Sequence, residues 1–299
     1  MSESPYSDLG RPPLHEGALR RLLVRPGALW TGVRVVPETG STNADLAALA
    51  REGAPEGTVL VTEMQTAGRG RLGRPWSAPP RSGLMFSLLL RPQVGAARLG
   101  WVPLLTGVAV ATAVRHMTAW TPPAAQRIGD GESGGGSGGG SGADAEQPVD
   151  VRLKWPNDLL VGERKLAGIL VEKVDDALIV GVGLNVGLRE DELPVPTATS
   201  LLIEGASFSD RAPLLRAILR EFEGWYRDWH ALDGDPERSG LRTAYKRLCA
   251  TLGRPVRVML PGDEVLTGTV RDVDAAGCLV VAADGGDRVV SAGDVVHVR

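Results

Sequence analysis

The chain has 299 residues, 43% hydrophobic and 23% charged, with a formal net charge of −3 at pH 7. At roughly 150 residues per domain, that length suits one large domain or two, with ample chain to bury a core. The acidic balance excludes a general electrostatic pull toward nucleic acid or anionic membrane, so any basic site must be local.

Met1 to Gly17 is polar and proline-containing, without the apolar core of a signal peptide. Residues 1–13 read as a loose tail, and Leu14 to Leu29 as one short helix ended by Pro26-Gly27. Val33 to Val36 reads as a strand. Ser41-Thr42-Asn43 then opens a helical pattern in which Thr42 and Asp45 resemble a capping box and Leu46, Leu49 and Ala50 form the buried stripe. Thr58–Thr62 and Leu84–Leu90 are β-rich. The apolar run Leu99–Val114, interrupted by Pro103, Thr106 and Gly107, falls short of the roughly 20 residues that span a bilayer and reads as part of a buried helix over 98–118.

Residues 129–147 are rich in glycine and serine and cannot bury enough apolar surface to order themselves, which predicts a disordered surface insertion. Strands are expected at Val151–Trp155, Lys165–Val171 and Leu178–Val182, with a turn at Asn157-Asp158 after Pro156. Helical patterns cover 210–232 and 237–252, with Asp210 as N-cap and Gly253 as stop signal. Beyond them, short alternating strands punctuated by Pro261-Gly262, Gly277 and Gly285-Gly286 predict a small β-barrel over 253–299. Cys249 and Cys278 make no metal-like spacing and read as reduced, packed thiols of a cytoplasmic protein.

Chemistry concentrates in two stretches. In Gly68-Arg69-Gly70-Arg71-Leu72-Gly73-Arg74-Pro75-Trp76 the glycines satisfy G-x-G-x-x-G, but Pro75 and the later Pro79-Pro80 exclude the helix that a dinucleotide fingerprint must open. Glycine lets backbone approach a ligand closely, and arginine offers forked donors to carboxylate or phosphate. The loop alone suits a cover over an anionic intermediate as well as it suits a solvated turn or an RNA contact. The second stretch is Lys154-Trp155-Pro156-Asn157-Asp158 followed by Arg164 to Glu172. Lys165 begins a strand that is otherwise almost wholly apolar, and by itself it reads more simply as a surface charge than as a cation aimed into a pocket.

Taken jointly, Ser41-Thr42-Asn43, the Gly68–Trp76 loop, Lys154–Asp158, Lys165–Glu172 and Gly181-Val182-Gly183-Leu184-Asn185 resemble the biotin–protein ligase family in order and spacing, over roughly residues 30–299. The resemblance implies an α+β fold with a mixed sheet, of the type shared by biotin and lipoate ligases and class II tRNA synthetases, and an SH3-like C-terminal barrel. It divides the chain into a tail and helix (1–29), a catalytic domain (30–252) and the barrel (253–299). It implies an enzyme that makes biotinyl-5′-AMP from biotin and ATP, with Mg²⁺ accompanying ATP on ligands it does not assign, and then acylates a lysine on a biotin carboxyl carrier domain of an acyl-CoA carboxylase. By the same resemblance, Ser41, Thr42, Asn43, Gln65, Arg69, Gly70, Arg71, Lys165 and Gly168 contact biotin. Arg69, Arg74, Trp76, Asn157 and Asn185 serve ATP and the adenylate, and Lys165, Arg71 and Asp158 act in catalysis.

Leu72 stands where relatives often carry another basic residue, and Pro75 precedes the tryptophan, so loop mobility is open to change. Only about 30 residues precede the catalytic motifs, too few for a two-helix DNA-binding module, so a monofunctional enzyme is expected. Lipoate ligation is the nearest alternative chemistry. A nucleic-acid module built on the Arg/Gly loop is opposed by the acidic balance and the lack of interleaved aromatics. Monomer and homodimer both remain open.

Overall fold

The structure is a computed structural model that describes residues 10–119, 148–206, 210–260, 262 and 264–298. The tail 1–9 and the whole Gly/Ser stretch 129–147 lie outside the described residues, so the expected insertion is not addressed by it. In chain order the elements are α1 Glu16–Leu23, β1 Gly32–Val36, α2 Thr42–Arg51, β2 Thr58–Thr62, β3 Gly83–Leu90, α3 Trp101–Ala119, β4 Val151–Lys154, β5 Asp158–Val161, β6 Arg164–Val174, β7 Ala177–Asn185, α4 Arg211–Ala231 and α5 Leu241–Leu248. Then follow β8 Pro255–Met259, β9 Val265–Val273, β10 Leu279–Ala283, β11 Gly286–Val290 and β12 Asp294–His297.

Strands β1 to β7 form one sheet in the order β1-β2-β3-β7-β6-β5-β4, in which β1 and β2 run parallel and the remaining pairs antiparallel. Side chains alternate across a strand, and here the alternation sorts two environments. Leu84, Phe86 and Leu88 of β3 with Val180, Val182 and Leu184 of β7 join the main core, with α3 and α4 packed in it. Leu89 of β3, Ile179 of β7 and Val174 of β6 face the other way and, with Leu60, hold Leu46 and Ala50 of α2. The main layer therefore carries α3 and α4, and among the described elements α2 alone lies over part of the opposite face. The apolarity of α3 is that of a core helix: most of its residues are buried, against the sheet, α4 and α5.

The C-terminal strands make an antiparallel sheet in the order β11-β10-β9-β8-β12, consistent with the SH3-like expectation. Its edge strands β11 and β12 do not pair with each other, so the hydrogen-bonded ladder is not closed into a barrel. The β9–β10 turn locks it onto the larger unit. Arg98 Nη1 and Trp101 Nε1 donate to the Ala275 carbonyl at 2.9 and 3.0 Å, and Trp155 Nε1 donates to the Gly277 carbonyl at 3.0 Å.

Local readings are revised at several points. Ser41, and not Thr42, is the N-cap of α2, accepting from the Ala44 amide at 3.5 Å, while the Asp45 carboxylate takes the Thr39 hydroxyl. The turn after β4 falls on 155–157, and Asp158 already belongs to β5, paired with Lys154 across the hairpin. Strand β12 carried no signal strong enough for a sequence-based assignment.

Candidate active site

The N-terminus of α2 meets the open part of its sheet face. The Thr42 amide and hydroxyl both donate to Gln65 Oε1, at 2.9 and 3.1 Å. Asn43 Nδ2 donates to Glu172 Oε2 at 2.7 Å and the Leu170 carbonyl at 3.3 Å. Ser87 Oγ lies 2.6 Å from Asn43 Oδ1 and 2.7 Å from Thr42 Oγ1. Ser41, Thr42, Asn43 and Ser87 are all buried. A buried polar set is stable only when its members are satisfied, and these satisfy one another while the first-turn amides of α2 keep a partial positive charge nearby. Gly181 on β7 makes room: a Cβ there would overlap Asn43 Oδ1.

The Gly68–Trp76 segment is a small hairpin. Gly70 N–H donates to Arg74 O at 2.7 Å and Trp76 N–H to Gly68 O at 2.9 Å, with a β-bridge between Arg69 and Pro75. At its tip Leu72 is 79% exposed and has φ +56°, a left-handed conformation costly for a leucine. The hairpin lays the Trp76 indole on Gly183 and Gly168, which pair across β7 and β6. A Cβ at Gly183 would overlap the indole, and one at Gly168 would lie 3.3 Å from both the ring and Lys165 Nζ. These positions are glycine because an aromatic plane rests on bare backbone.

Lys165 closes this floor. Its ammonium lies 5.7 Å from the Trp76 ring centroid and 2.7 Å from Asp158 Oδ1. Asn157 Nδ2 donates to the Ile169 carbonyl at 2.9 Å, and Asn157 Oδ1 accepts from Arg71 Nη1 at 3.2 Å. Burial lowers the pKa of Arg71, opposed by Asp294 and Asp158. The site thus joins a cluster of amide and hydroxyl groups, backed by Glu172, to a cationic one across a glycine floor. Chemically, it suits a ligand with a polar end and an anionic end.

Residues 35–188 match the Biotin/lipoate A/B protein ligase family, and residues 251–298 the Biotin protein ligase C terminal domain. The chain belongs to the biotin/lipoate protein ligase family. Among its relatives, the biotin–[acetyl-CoA-carboxylase] ligase of Mycobacterium tuberculosis is 41% identical over 291 residues, 97% of each chain. The bifunctional ligase/repressor BirA of Escherichia coli is 31% identical, covering 85% of this chain and 70% of that one. The structure of the biotin protein ligase from Aquifex aeolicus in complex with biotin and ATP superposes with a TM-score of 0.69 at 27% identity, covering 90% of this chain and 100% of that one. The α+β expectation is borne out by that match.

Within this ligase-family fold, the residues singled out from sequence separate into groups. Ser41, Thr42, Asn43 and Gln65 gather at α2, and Arg71, Trp76, Asn157, Asp158, Lys165 and Gly168 gather at β5 and β6. Arg69 is exposed on the hairpin, which Gly70 helps to close. Asn185 is buried and donates to the Thr199 carbonyl at 2.9 Å, bracing the segment that follows β7. Arg74 turns away from the floor to pair with Asp294 of β12. Sequence reasoning gave no role to Ser87, Glu172, Gly181 or Gly183. For Ser87 a signal was present: it is the one hydroxyl in the otherwise apolar run Leu84–Leu90.

Proposed function

We propose that this family member is an ATP-dependent biotin–protein ligase. It makes biotinyl-5′-AMP and pyrophosphate, then transfers biotin to a lysine of a biotin carboxyl carrier domain of an acyl-CoA carboxylase. The observation that carries the reading is the near-full-length similarity to a biotin–[acetyl-CoA-carboxylase] ligase. The two family matches support a catalytic unit over 30–252 and a C-terminal unit over 253–299.

The residues take roles that fit their surroundings. Thr42, Asn43 and Gln65, with Ser41 capping the helix, offer the amide and hydroxyl groups that match a neutral ureido ring. The biotin carboxylate attacks the α-phosphorus of ATP, an α-phosphate P–O bond forms, and the bond to the β-phosphate oxygen breaks to release pyrophosphate. Two anions must meet, and Lys165 with Arg69 and Arg71 offsets their repulsion as charge grows on the transferring group. Trp76 and Asn157 border the nucleotide side of the floor, with Arg74 and Asn185 bracing its rim. The hairpin covers the mixed anhydride and limits hydrolysis. In the second step the acceptor amine attacks the acyl carbon, the acyl–phosphate bond breaks and AMP leaves. Asp158, held by Lys165, orients that amine and takes its proton. Mg²⁺ is expected to ride on the ATP phosphates, as hard cations commonly do. Among the described residues no three metal-ligating side chains cluster. ATP as substrate and the free thiols Cys249 and Cys278 support a cytoplasmic location.

The test is pyrophosphate release by the purified chain with ATP, Mg²⁺ and biotin, followed by an apo carrier domain. Biotin-dependent release and a mass shift on the carrier lysine are expected. Release with lipoate in place of biotin would keep the fold and overturn the substrate.

A further inference from the structure

The arginine hairpin is fastened from outside the larger unit. Arg74 leaves the floor and pairs with Asp294, the first residue of β12. Burial opposes ionisation of Asp294, yet Arg74, with Lys154 and Arg71 nearby, holds its carboxyl below the usual range. Asp294 is a fixed partner. The C-terminal sheet that carries it is locked to the larger unit by Trp101, Trp155 and Arg98 through the β9–β10 turn, and Arg242 adds bonds to the Val273 carbonyl and to Asp272 at 2.9 and 2.7 Å. The hairpin, by contrast, contains three glycines and a left-handed leucine at its tip. Among the described residues its other outward side-chain hydrogen bond is that of Arg71 with Asn157.

We propose that Asp294 is a positioning residue for the ligase reaction: from the C-terminal sheet it holds Arg74 and keeps Arg71 turned toward Asn157 and Asp158. The kinetic half of this proposal rests on the ligase reading above; the structural half does not. An exposed pair of this kind contributes modestly, so the expected effect is a bias of the loop and not a collapse of the fold.

Hydrogen–deuterium exchange of residues 68–76 in the ligand-free full chain reads the tether directly. Asp294→Asn is expected to speed exchange there about two- to fivefold. Asp294→Glu should restore protection, and Asp287→Asn, a carboxylate near Arg271 on the same sheet, should leave the loop unchanged. Arg74→Gln should match Asp294→Asn, with no further gain in the double variant, as two ends of one interaction require. In the assay, the KM for ATP should rise by a similar factor while kcat changes less. Unchanged loop exchange in Asp294→Asn, additive effects in the double variant, or a fall in kcat alone with a lowered Tm would overturn the proposal. Faster exchange in a chain that releases no pyrophosphate with biotin would leave the tether standing and remove the ligase reading.

Discussion

Lys165 shows how neighbours settle what a side chain is for. Its ammonium is held between a carboxylate at 2.7 Å and the face of an indole, beside backbone bared by glycine. Such a cation is oriented before any substrate arrives, which is what transition-state stabilisation requires. Lys165→Ala is expected to slow adenylate formation by roughly a hundredfold or more at saturating biotin. Near-normal pyrophosphate release in that variant would remove the lysine from the chemistry. Gly181 tests the amide and hydroxyl cluster in the same way. In Gly181→Ala the new Cβ displaces Asn43 Oδ1 and breaks its contact with Ser87. Loss of one or two buried hydrogen bonds predicts a KM for biotin about tenfold higher. An unchanged far-UV spectrum would confirm the fold, and an unchanged KM would place biotin elsewhere.

At the scale of elements, α2 is the part on which the amide and hydroxyl end of the candidate site depends. It crosses a sheet face that its own few apolar residues must cover, and Leu46 is fully buried at the centre of that small cluster. Leu46→Ala is expected to cost about 2–5 kcal/mol of stability. Because α2 carries Thr42 and Asn43, the variant should also bind biotin more weakly well below its melting transition, measured by titration calorimetry. Undiminished affinity would mean that the helix end is anchored by Gln65 and Glu172 alone. The same helix shows what patterning makes legible: its stripe was readable, while its cap was misplaced by a residue, since Ser41 and Thr42 both fit an N-cap. Strand β5 was hidden because four residues after a proline carry too little alternation to separate strand from turn. Strand β12 is equally short and gains its identity from pairing with β8.

For the molecule as a whole, the junction between the two sheets is the feature that ties the C-terminal strands to the candidate site. Thr251 Oγ1 accepts from the Trp155 amide at 3.1 Å and lies 3.1 Å from His297 Nε2, so β12 touches the turn that leads to Asn157 and Asp158. Burial, with Lys154 and Arg254 near, holds His297 below its ordinary value of 6.5, and Glu163 opposes them. Between that value and the lower folded one, the unfolded chain binds more protons. The neutral imidazole's contribution is therefore complete above about pH 6.5 and is lost as pH falls through the folded pKa. The Tm of the wild-type chain should drop below about pH 6.5 more steeply than that of His297→Gln. Parallel curves for the two proteins would show that the histidine does not couple the sheets.

Much of this protein was determined by sequence alone. The periods of its apolar residues placed most helices and strands, and the joint spacing of the Ser41, Gly68, Lys154 and Gly181 motifs pointed to one family and its chemistry, because such motifs constrain backbone and charge locally. What only the tertiary structure decided lies between segments distant in the chain. Ser87 and Glu172 satisfy Asn43 from different strands. Gly183 and Gly168 become a floor only when β7 pairs with β6, and Arg74 answers to a carboxylate 220 positions away. No local pattern encodes these partners, since a polar residue or a glycine reads the same whether it faces water or its counterpart across a folded sheet.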